Sequence, residues 1–172
     1  LPPGTTVNIT ATLETPLTPA EVPGGALAGT SASGTGPLFT WQMQGTGTLA
    51  GYNRTLVIPG NTFIVHAAPR TAFAPTQAFN TQIAQLQGQV VGGGDPDFDL
   101  LRVTAGNDFG LPSPGQTTLT QVGPNWNVES YYDMTYRIDF VGRPGGPFGG
   151  MSGSTTGVAR FQIGMPVPEP SG

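Results

Sequence analysis

Few side chains in this sequence could do acid–base or metal chemistry. His66 is the only histidine and cysteine is absent, which excludes a thiol nucleophile and a thiolate metal site. A hydrolytic triad would depend on His66, which lies in the apolar run Phe63–Ala67 and is typical of a strand residue. The Gly-x-Ser-x-Gly motif is also absent. The sequence predicts that the protein is not an enzyme, unless a pocket gathers two carboxylates as in a glycosidase.

One acidic cluster is present, with aspartates at alternate positions Asp95, Asp97 and Asp99. Carboxylate oxygens suit Ca²⁺, and this spacing resembles the start of a calcium-binding loop. The EF-hand pattern then fails, because Leu100 stands where that loop needs glycine and Gly106 where it needs glutamate. We expect a solvated turn that leads into a strand. A Ca²⁺ site completed by backbone carbonyls is the alternative, and no other cofactor is expected.

Aromatic side chains favour sugar binding where they are exposed, because they combine an apolar face with a polar group. Trp126 alternates with Val128, and Tyr132 falls on the apolar side of its strand, so both are expected in the core. Tyr52 and Tyr131 remain as candidates for an exposed pair. They support one alternative function, a module that binds extracellular polysaccharide.

The chain carries little charge. Charged residues make up 9% of its 172 residues, against about 25% in an average domain, and none is lysine. The six basic residues are arginines scattered singly, so no patch could neutralise a run of phosphates, and nucleic acid is excluded as a partner. No apolar stretch is long enough to cross a bilayer, so no membrane span is expected in this fragment.

Alternation of apolar and polar residues with period two is the strongest pattern in the sequence. It runs from Tyr131 to Val141 and from Thr5 to Leu13, and it predicts a half-buried antiparallel strand in each place. The outer face of the second strand is almost entirely threonine and asparagine. Its inward residues are Val7, Ile9, Ala11 and Leu13.

Shorter runs of β-branched and aromatic residues predict further strands between turns supplied by 27 glycines and 18 prolines. These strands are Leu38–Gln44, Arg54–Ile58, Thr62–Ala67, Gln82–Val91, Phe98–Thr104, Thr117–Val122, Trp126–Glu129 and Gly157–Ile163. A helical turn is possible at the start of Thr76–Leu86. Loops are predicted at Pro16–Gly36, Gly92–Pro96 and Gly142–Thr156.

This arrangement predicts an all-β fold. The expected architecture is a two-sheet antiparallel β-sandwich of jelly-roll or Greek-key type, with long Gly/Pro-rich loops. Residues 1–164 would form one domain, in which residues 1–15 are an edge or donor strand and residues 16–36 a flexible connection. Residues 165–172 would form a separate proline-rich tail.

The tail ends in the motif Val167, Pro168, Glu169 and Pro170. Its alternate prolines prevent a helix or a paired strand and predict an extended segment. The motif resembles the hallmark of PEP-CTERM proteins, an exosortase-processed family of Gram-negative bacteria, and the stretch from about Phe79 to Ile163 is loosely similar to planctomycete surface proteins of this kind. The resemblance implies secretion to the cell surface or a polysaccharide-rich extracellular matrix, and it implies no chemistry.

The scarcity of charge on so many strands predicts self-association. Proteins of this class usually protect their edge strands with lysines, inward charges or bulges, and this sequence has almost none of these. We expect the strand with Val7, Ile9, Ala11 and Leu13 to complete the sheet of a second copy, which would give a head-to-tail filament. Two alternatives stay open, a monomeric surface domain in which this strand pairs within its own sheet, and the polysaccharide-binding module.

Overall fold

The computed structural model describes residues 1–14, 31–34, 38–68, 74–92 and 94–163. Within these ranges lie nine strands, all in antiparallel ladders, and two short 3-10 turns at Gly47–Leu49 and Asn107–Phe109. The strands are β1 (Val7–Glu14), β2 (Ser31–Gly34), β3 (Leu38–Gly45), β4 (Asn53–Ala67), β5 (Thr76–Val91), β6 (Phe98–Ala105), β7 (Pro114–Val122), β8 (Asn125–Gly142) and β9 (Ser152–Ile163).

The sheet is a meander, because strands that follow each other in the chain lie side by side. Two pairs of strands lie end to end and share one position each. β2 and β3 follow each other along one edge of β4, and β6 and β7 follow each other between β5 and β8. The sheet therefore has seven positions, in the order β1, β2/β3, β4, β5, β6/β7, β8 and β9.

One core holds the fold together. Phe39 and Trp41 of β3 belong to the same buried cluster as Tyr132 and Met134 of β8, although these strands lie far apart in the sheet order. The sheet must therefore roll until its two ends face each other across apolar side chains, whose removal from water drives the folding. Irregularities in the pairing of β4 with β5 lie within the long strand β4, where a bulge allows a strand to bend.

The predicted all-β antiparallel fold is confirmed, and two inward faces share one core as in a β-sandwich. The jelly-roll or Greek-key topology with two separate sheets is not found, because the described strands form one sheet that meanders in chain order. Predicted strands that were separate in the sequence merge, because β4 and β8 each continue through the turn that was expected to interrupt them. No helix among the described residues is long and apolar enough to cross a membrane.

Three local predictions were wrong. Thr76–Leu86 begins in β5 with no helical turn, because its backbone pairs with β7. Part of the Pro16–Gly36 loop is strand β2, which pairs with Phe63–His66. The loop predicted at Gly142–Thr156 ends early, because β9 starts at Ser152 and continues the ladder with β8. In each case backbone pairing with a neighbouring strand overrides the local residue preference.

Between β6 and β7 the chain leaves the sheet in a short connection and then returns to it. Gly106 is the first residue of this connection. Gly106 has φ of +114°, and a Cβ placed on it would lie 2.3 Å from the carbonyl oxygen of Ala84. Both its dihedral angle and its contact with the β5 backbone exclude a larger residue. Gly106 therefore fixes the point at which two short strands occupy one position of the sheet.

Substitution of this glycine tests the geometry. We expect Gly106→Ala to lower the free energy of unfolding by more than about 2 kcal/mol, since it combines an unfavourable φ with a clash against backbone. Gly51→Ala is the matched control, because a Cβ there meets no atom within 4 Å. Urea denaturation of both variants measures the difference. Equal stability of the two variants would contradict the described path of the chain.

Candidate interaction site at the open edge of the sheet

The two ends of the meander are edge strands that do not pair with each other. β1 pairs with β3 and β9 pairs with β8, and the described residues form no ladder or backbone hydrogen bond between β1 and β9. Each of these strands therefore presents one row of backbone N–H and C=O groups that has no partner in the described part of the chain. We call the gap between β1 and β9 the seam.

An apolar groove follows the seam. Two adjoining cavities of about 570 and 360 Å³ lie along it, and side chains of β1 and β9 line both. The floor is formed by inward side chains of other strands. These include Phe39, Trp41, Met134, Ile138 and Phe140.

The groove leaves inward side chains of β1 open to solvent. Ile9 lies opposite Met43 and Ala11 opposite Trp41, so both point to the core side of the sheet. Ile9 is nevertheless 36% exposed and Ala11 is exposed, whereas Trp41 is 2% exposed. No described group accepts a hydrogen bond from the buried indole Nε1 of Trp41. The edge is therefore an apolar surface with its backbone groups available.

Neither edge carries the usual protection against pairing with other chains. β1 contains no proline and no charged residue before Glu14 at its end. β9 contains one charged residue, Arg160, and no proline. Arg160 is engaged by its neighbour on β8, because its Nε and Nη2 donate to the two carboxylate oxygens of Asp133 at 2.7 and 2.8 Å. The guanidinium of Arg160 lowers the pKa of the Asp133 carboxyl.

Contacts to β8 hold β9 firmly. The ladder runs from Ser130 paired with Ile163 to Val141 paired with Ser152. Gly157 lies beneath the ring of Tyr136, where a Cβ would be 2.6 Å from the tyrosine hydroxyl. β1 has a shorter ladder, from Val7 to Glu14.

Two residues of the predicted acidic cluster, Asp95 and Asp97, form ion pairs with Arg54 at one end of the fold. Arg54 Nη1 donates to Asp95 Oδ1 at 2.8 Å and also to Asp97, while its Nη2 donates to the second oxygen of Asp95. The same Asp95 Oδ1 accepts the backbone N–H groups of Asp97 and Phe98 at 2.9 and 3.1 Å. Arg143 Nη1 donates to the Asp95 carbonyl at 3.0 Å.

This pairing bears on the calcium prediction. Asp99 is exposed on β6, and no three His, Asp or Glu side chains gather as a metal site in the part of the chain that the structure describes. Calcium would have to displace Arg54 from Asp95 and Asp97. The calcium site stays a prediction, and the geometry instead shows two carboxylates neutralised by one guanidinium.

The environment shifts the ionisation of this cluster. Burial by itself would raise the pKa of Asp95, but the hydrogen bonds and charge of Arg54 and the two backbone donors outweigh it and lower the pKa. The hydrogen bond from Arg54 to Asp95 raises the pKa of the guanidinium. Burial, followed by its hydrogen bond to Asp97, raises the pKa of Tyr52. The fold therefore favours charged Arg54 and Asp95 beside neutral Tyr52.

The two tyrosines proposed for sugar binding are each engaged within the protein. The Tyr52 hydroxyl donates to Asp97 Oδ2 at 3.0 Å, and its ring meets Phe148 edge to face with centroids 4.9 Å apart. Tyr131 is half-buried, and the Arg160 guanidinium lies 4.7 Å above its ring. The geometry brings no two exposed aromatic faces together at these positions.

The remaining predicted residues have simpler placements. His66 is half-buried on β4, where it pairs with Ser31 and Gln82. Leu13 pairs with Phe39 through the backbone. The sorting motif, Val167, Pro168, Glu169 and Pro170, lies outside the described residues, as do most of residues 16–36.

Sequence reasoning missed the residues that close this end of the fold, Arg54, Arg143 and Phe148. Arg54 and Asp95 lie 41 positions apart, and no local pattern links an arginine in one strand to the turn that follows the next strand. Phe148 stacks on Phe98 with centroids 4.8 Å apart, although it lies in a Gly/Pro-rich loop. A single aromatic residue within such a loop was the one available signal of an anchor.

Removal of the arginine tests the ion pair. We expect Arg54→Met to lower the free energy of unfolding by about 3 kcal/mol, because it leaves the buried Asp95 carboxylate without its counter-charge. Arg160→Met is the matched control, since that arginine also binds an aspartate through two nitrogens but is largely exposed. Its effect in the same urea titration should be small. If Arg54→Met lowered the free energy of unfolding no more than Arg160→Met does, a structural role for the Arg54 ion pair would be refuted.

Acid titration tests the lowered pKa of the Asp95 carboxyl. The pKa of Asp95 is lower in the folded protein than in the unfolded chain, so its contribution to stability is full above about pH 4 and is lost as the pH falls through the folded value. We expect part of the acid destabilisation of the wild type to disappear in Asp95→Asn. Denaturation at several pH values between neutrality and strong acid measures this. An unchanged pH profile would show that Asp95 is not paired as described.

Comparison with known proteins assigns no family. A scan against protein-family models, a search of curated proteins and a search of solved structures each found no match. The function therefore has to be argued from the geometry of the seam.

Proposed function

We propose that this chain is a non-enzymatic structural protein of the bacterial cell surface or extracellular matrix. Copies of it would associate through their edge strands into filaments or layers. One observation carries the proposal, namely that β1 and β9 present two apolar, unprotected edges along an open seam. Backbone groups at such an edge recruit strands from other chains.

β-strand complementation through β1 is the mode of association that the contacts favour. β1 pairs with a single strand, and its inward side chains Ile9 and Ala11 gain little burial from doing so. Exchange of β1 between copies would recreate the same ladder on β3 of a neighbour at little cost in contacts. Since donor and acceptor are different surfaces, the contact is heterologous, and successive exchange from copy to copy builds an open filament where the rotation between copies does not close a ring.

The charge distribution supports a structural role without catalysis. Asp95 is buried and Asp97 is half-buried. Arg54 holds both carboxylates, so they are not arranged as an acid and a base. The exported location is supported by the resemblance of the tail to a surface-sorting motif. The partner proposed here is a second copy, and no cofactor is needed.

A reversible disulfide tests strand exchange. Thr10 on β1 lies opposite Gln42 on β3, and both side chains are exposed. Because the chain has no cysteine, Thr10→Cys/Gln42→Cys would introduce a single disulfide that holds β1 on its own sheet. We expect the oxidised variant to stay monomeric in sedimentation and electron microscopy, and the reduced variant to form polymers like the wild type.

A second disulfide is the matched control. Gln42→Cys/Thr55→Cys joins β3 to β4, which do not exchange in this mechanism, so this variant should polymerise in both redox states. Polymers of the oxidised β1 variant would refute exchange of β1. A wild type that stays monomeric at all concentrations would refute self-association as a whole.

A further inference from the structure

The seam leads to cavities on the core side of the sheet. The lining of the larger one, of about 570 Å³, includes Phe39, Trp41 and Met134, whose side chains are at most 2% exposed. The smaller one, of about 360 Å³, shares Ile9 and Ile138 with it, so the two form one elongated space along the seam. Volumes of about 300 to 1,000 Å³ are typical of sites for small molecules. The space therefore has the size of a small-molecule site.

The lining of this space carries almost no charge. Among the described side chains that line the two cavities, Arg160 is the only charged one. Its charge is already balanced by Asp133, whose carboxylate accepts hydrogen bonds from Nε and Nη2. A charged group taken into the space would lose its hydration without gaining a counter-charge. A molecule that fits the space must therefore be uncharged and largely apolar.

One polar group of the lining indicates that the bound molecule also carries a hydrogen-bond acceptor. Trp41 lines the larger cavity, and its buried indole Nε1 has no acceptor among the described residues. A buried N–H without an acceptor costs free energy, so such groups are normally paired. An oxygen atom on a bound molecule would satisfy this donor.

We propose that the cavity binds a neutral lipid-like molecule, an elongated hydrocarbon with an ester or ketone oxygen that accepts the Trp41 N–H. This goes beyond the proposed self-association, which uses the backbone rows of β1 and β9, whereas the ligand contacts side chains on the core side of the sheet. Exchange of β1 is compatible with the site, because a neighbour would then supply Val7, Ile9 and Ala11 to the lining. The assembly would thus hold an apolar compound in each subunit.

Three fluorescent probes test the chemistry of the site. They are the methyl ester of parinaric acid, the free acid, and diphenylhexatriene, a hydrocarbon without an acceptor. Their emission rises when they leave water for an apolar site, and this rise measures binding. We expect the ester and the hydrocarbon to bind at a single site in each chain. The free acid is ionised at neutral pH and should bind at least about tenfold more weakly than its ester.

A cavity-filling substitution locates the site. Ala159 lines the larger cavity and pairs with Met134, so Ala159→Phe places a ring where the ligand would lie. Val158→Phe is the matched control, since Val158 is 71% exposed on the opposite face of β9. We expect Ala159→Phe to weaken binding of the ester and the hydrocarbon at least about tenfold, and Val158→Phe to leave it unchanged. Urea denaturation confirms that both variants are folded.

Trp41→Phe tests the hydrogen bond, because it removes the indole N–H and keeps an aromatic ring in the lining. Diphenylhexatriene has no acceptor, so its affinity reports the change in shape alone. We expect the ester to lose about fivefold more affinity than diphenylhexatriene, which corresponds to one neutral hydrogen bond. Equal losses for the two probes would overturn the proposal.

Other outcomes would also overturn it. These are no binding by the wild type, or equal binding by Ala159→Phe and Val158→Phe. Binding that appears only after Leu27→Asp would show that the chain's own residues 24–30, which carry no proline and no charge, fill the cavity. Binding to the monomer that is lost in polymers would show that a second copy fills it.

Sedimentation of the same samples separates this inference from the proposed function. A probe bound by a chain that stays monomeric at all concentrations would support the cavity site and refute self-association. Polymers that bind no probe would support self-association and refute the cavity site.

Discussion

Backbone hydrogen bonding is the constraint on which the rest of this structure depends. Each strand of the meander satisfies its N–H and C=O groups with the strands beside it, and this leaves one row at each end of the sheet that no described strand pairs with. With seven positions, the two rows belong to strands of the same direction, so rolling the sheet brings them near each other without allowing them to pair in the antiparallel pattern of the other ladders. Strand number and direction therefore exclude an antiparallel closure of the seam, and the described residues form no parallel ladder between β1 and β9 either.

The side chains at the end of the fold that carries Arg54 differ in charge and packing from those along the seam. At the end of the fold that carries Arg54, charges are paired, aromatic rings stack on Phe148, and Asp95 accepts both side-chain and backbone donors. Along the seam, charge is scarce and apolar side chains such as Ile9 meet solvent. An end with paired charges and packed aromatic rings, beside an unprotected edge, is the arrangement expected of a subunit whose backbone contributes to a larger sheet.

The sequence allowed the fold class to be predicted because period-two alternation, as in Tyr131–Val141, reflects burial on one face of a strand. It did not allow the strand order to be predicted, since pairing partners are set by contacts between distant residues. β2 is an example, because Ser31–Gly34 has small residues with weak strand preference and becomes a strand by pairing with β4. The alternation of apolar residues singled out Val7, Ile9 and Ala11, and these residues do line the groove. The β9 side of the seam and the Arg54 ion pair could not be predicted, because they depend on tertiary contacts that no local pattern encodes.

Amide hydrogen exchange of the dilute protein is the most direct measurement of the open seam. The account predicts that alternate amides of β1 and β9, those that point away from β3 and β8, exchange rapidly while the amides of the central strands β5 and β6 are protected. Uniform protection of β1 and β9 in the dilute monomer would show that the seam is closed and would contradict the account.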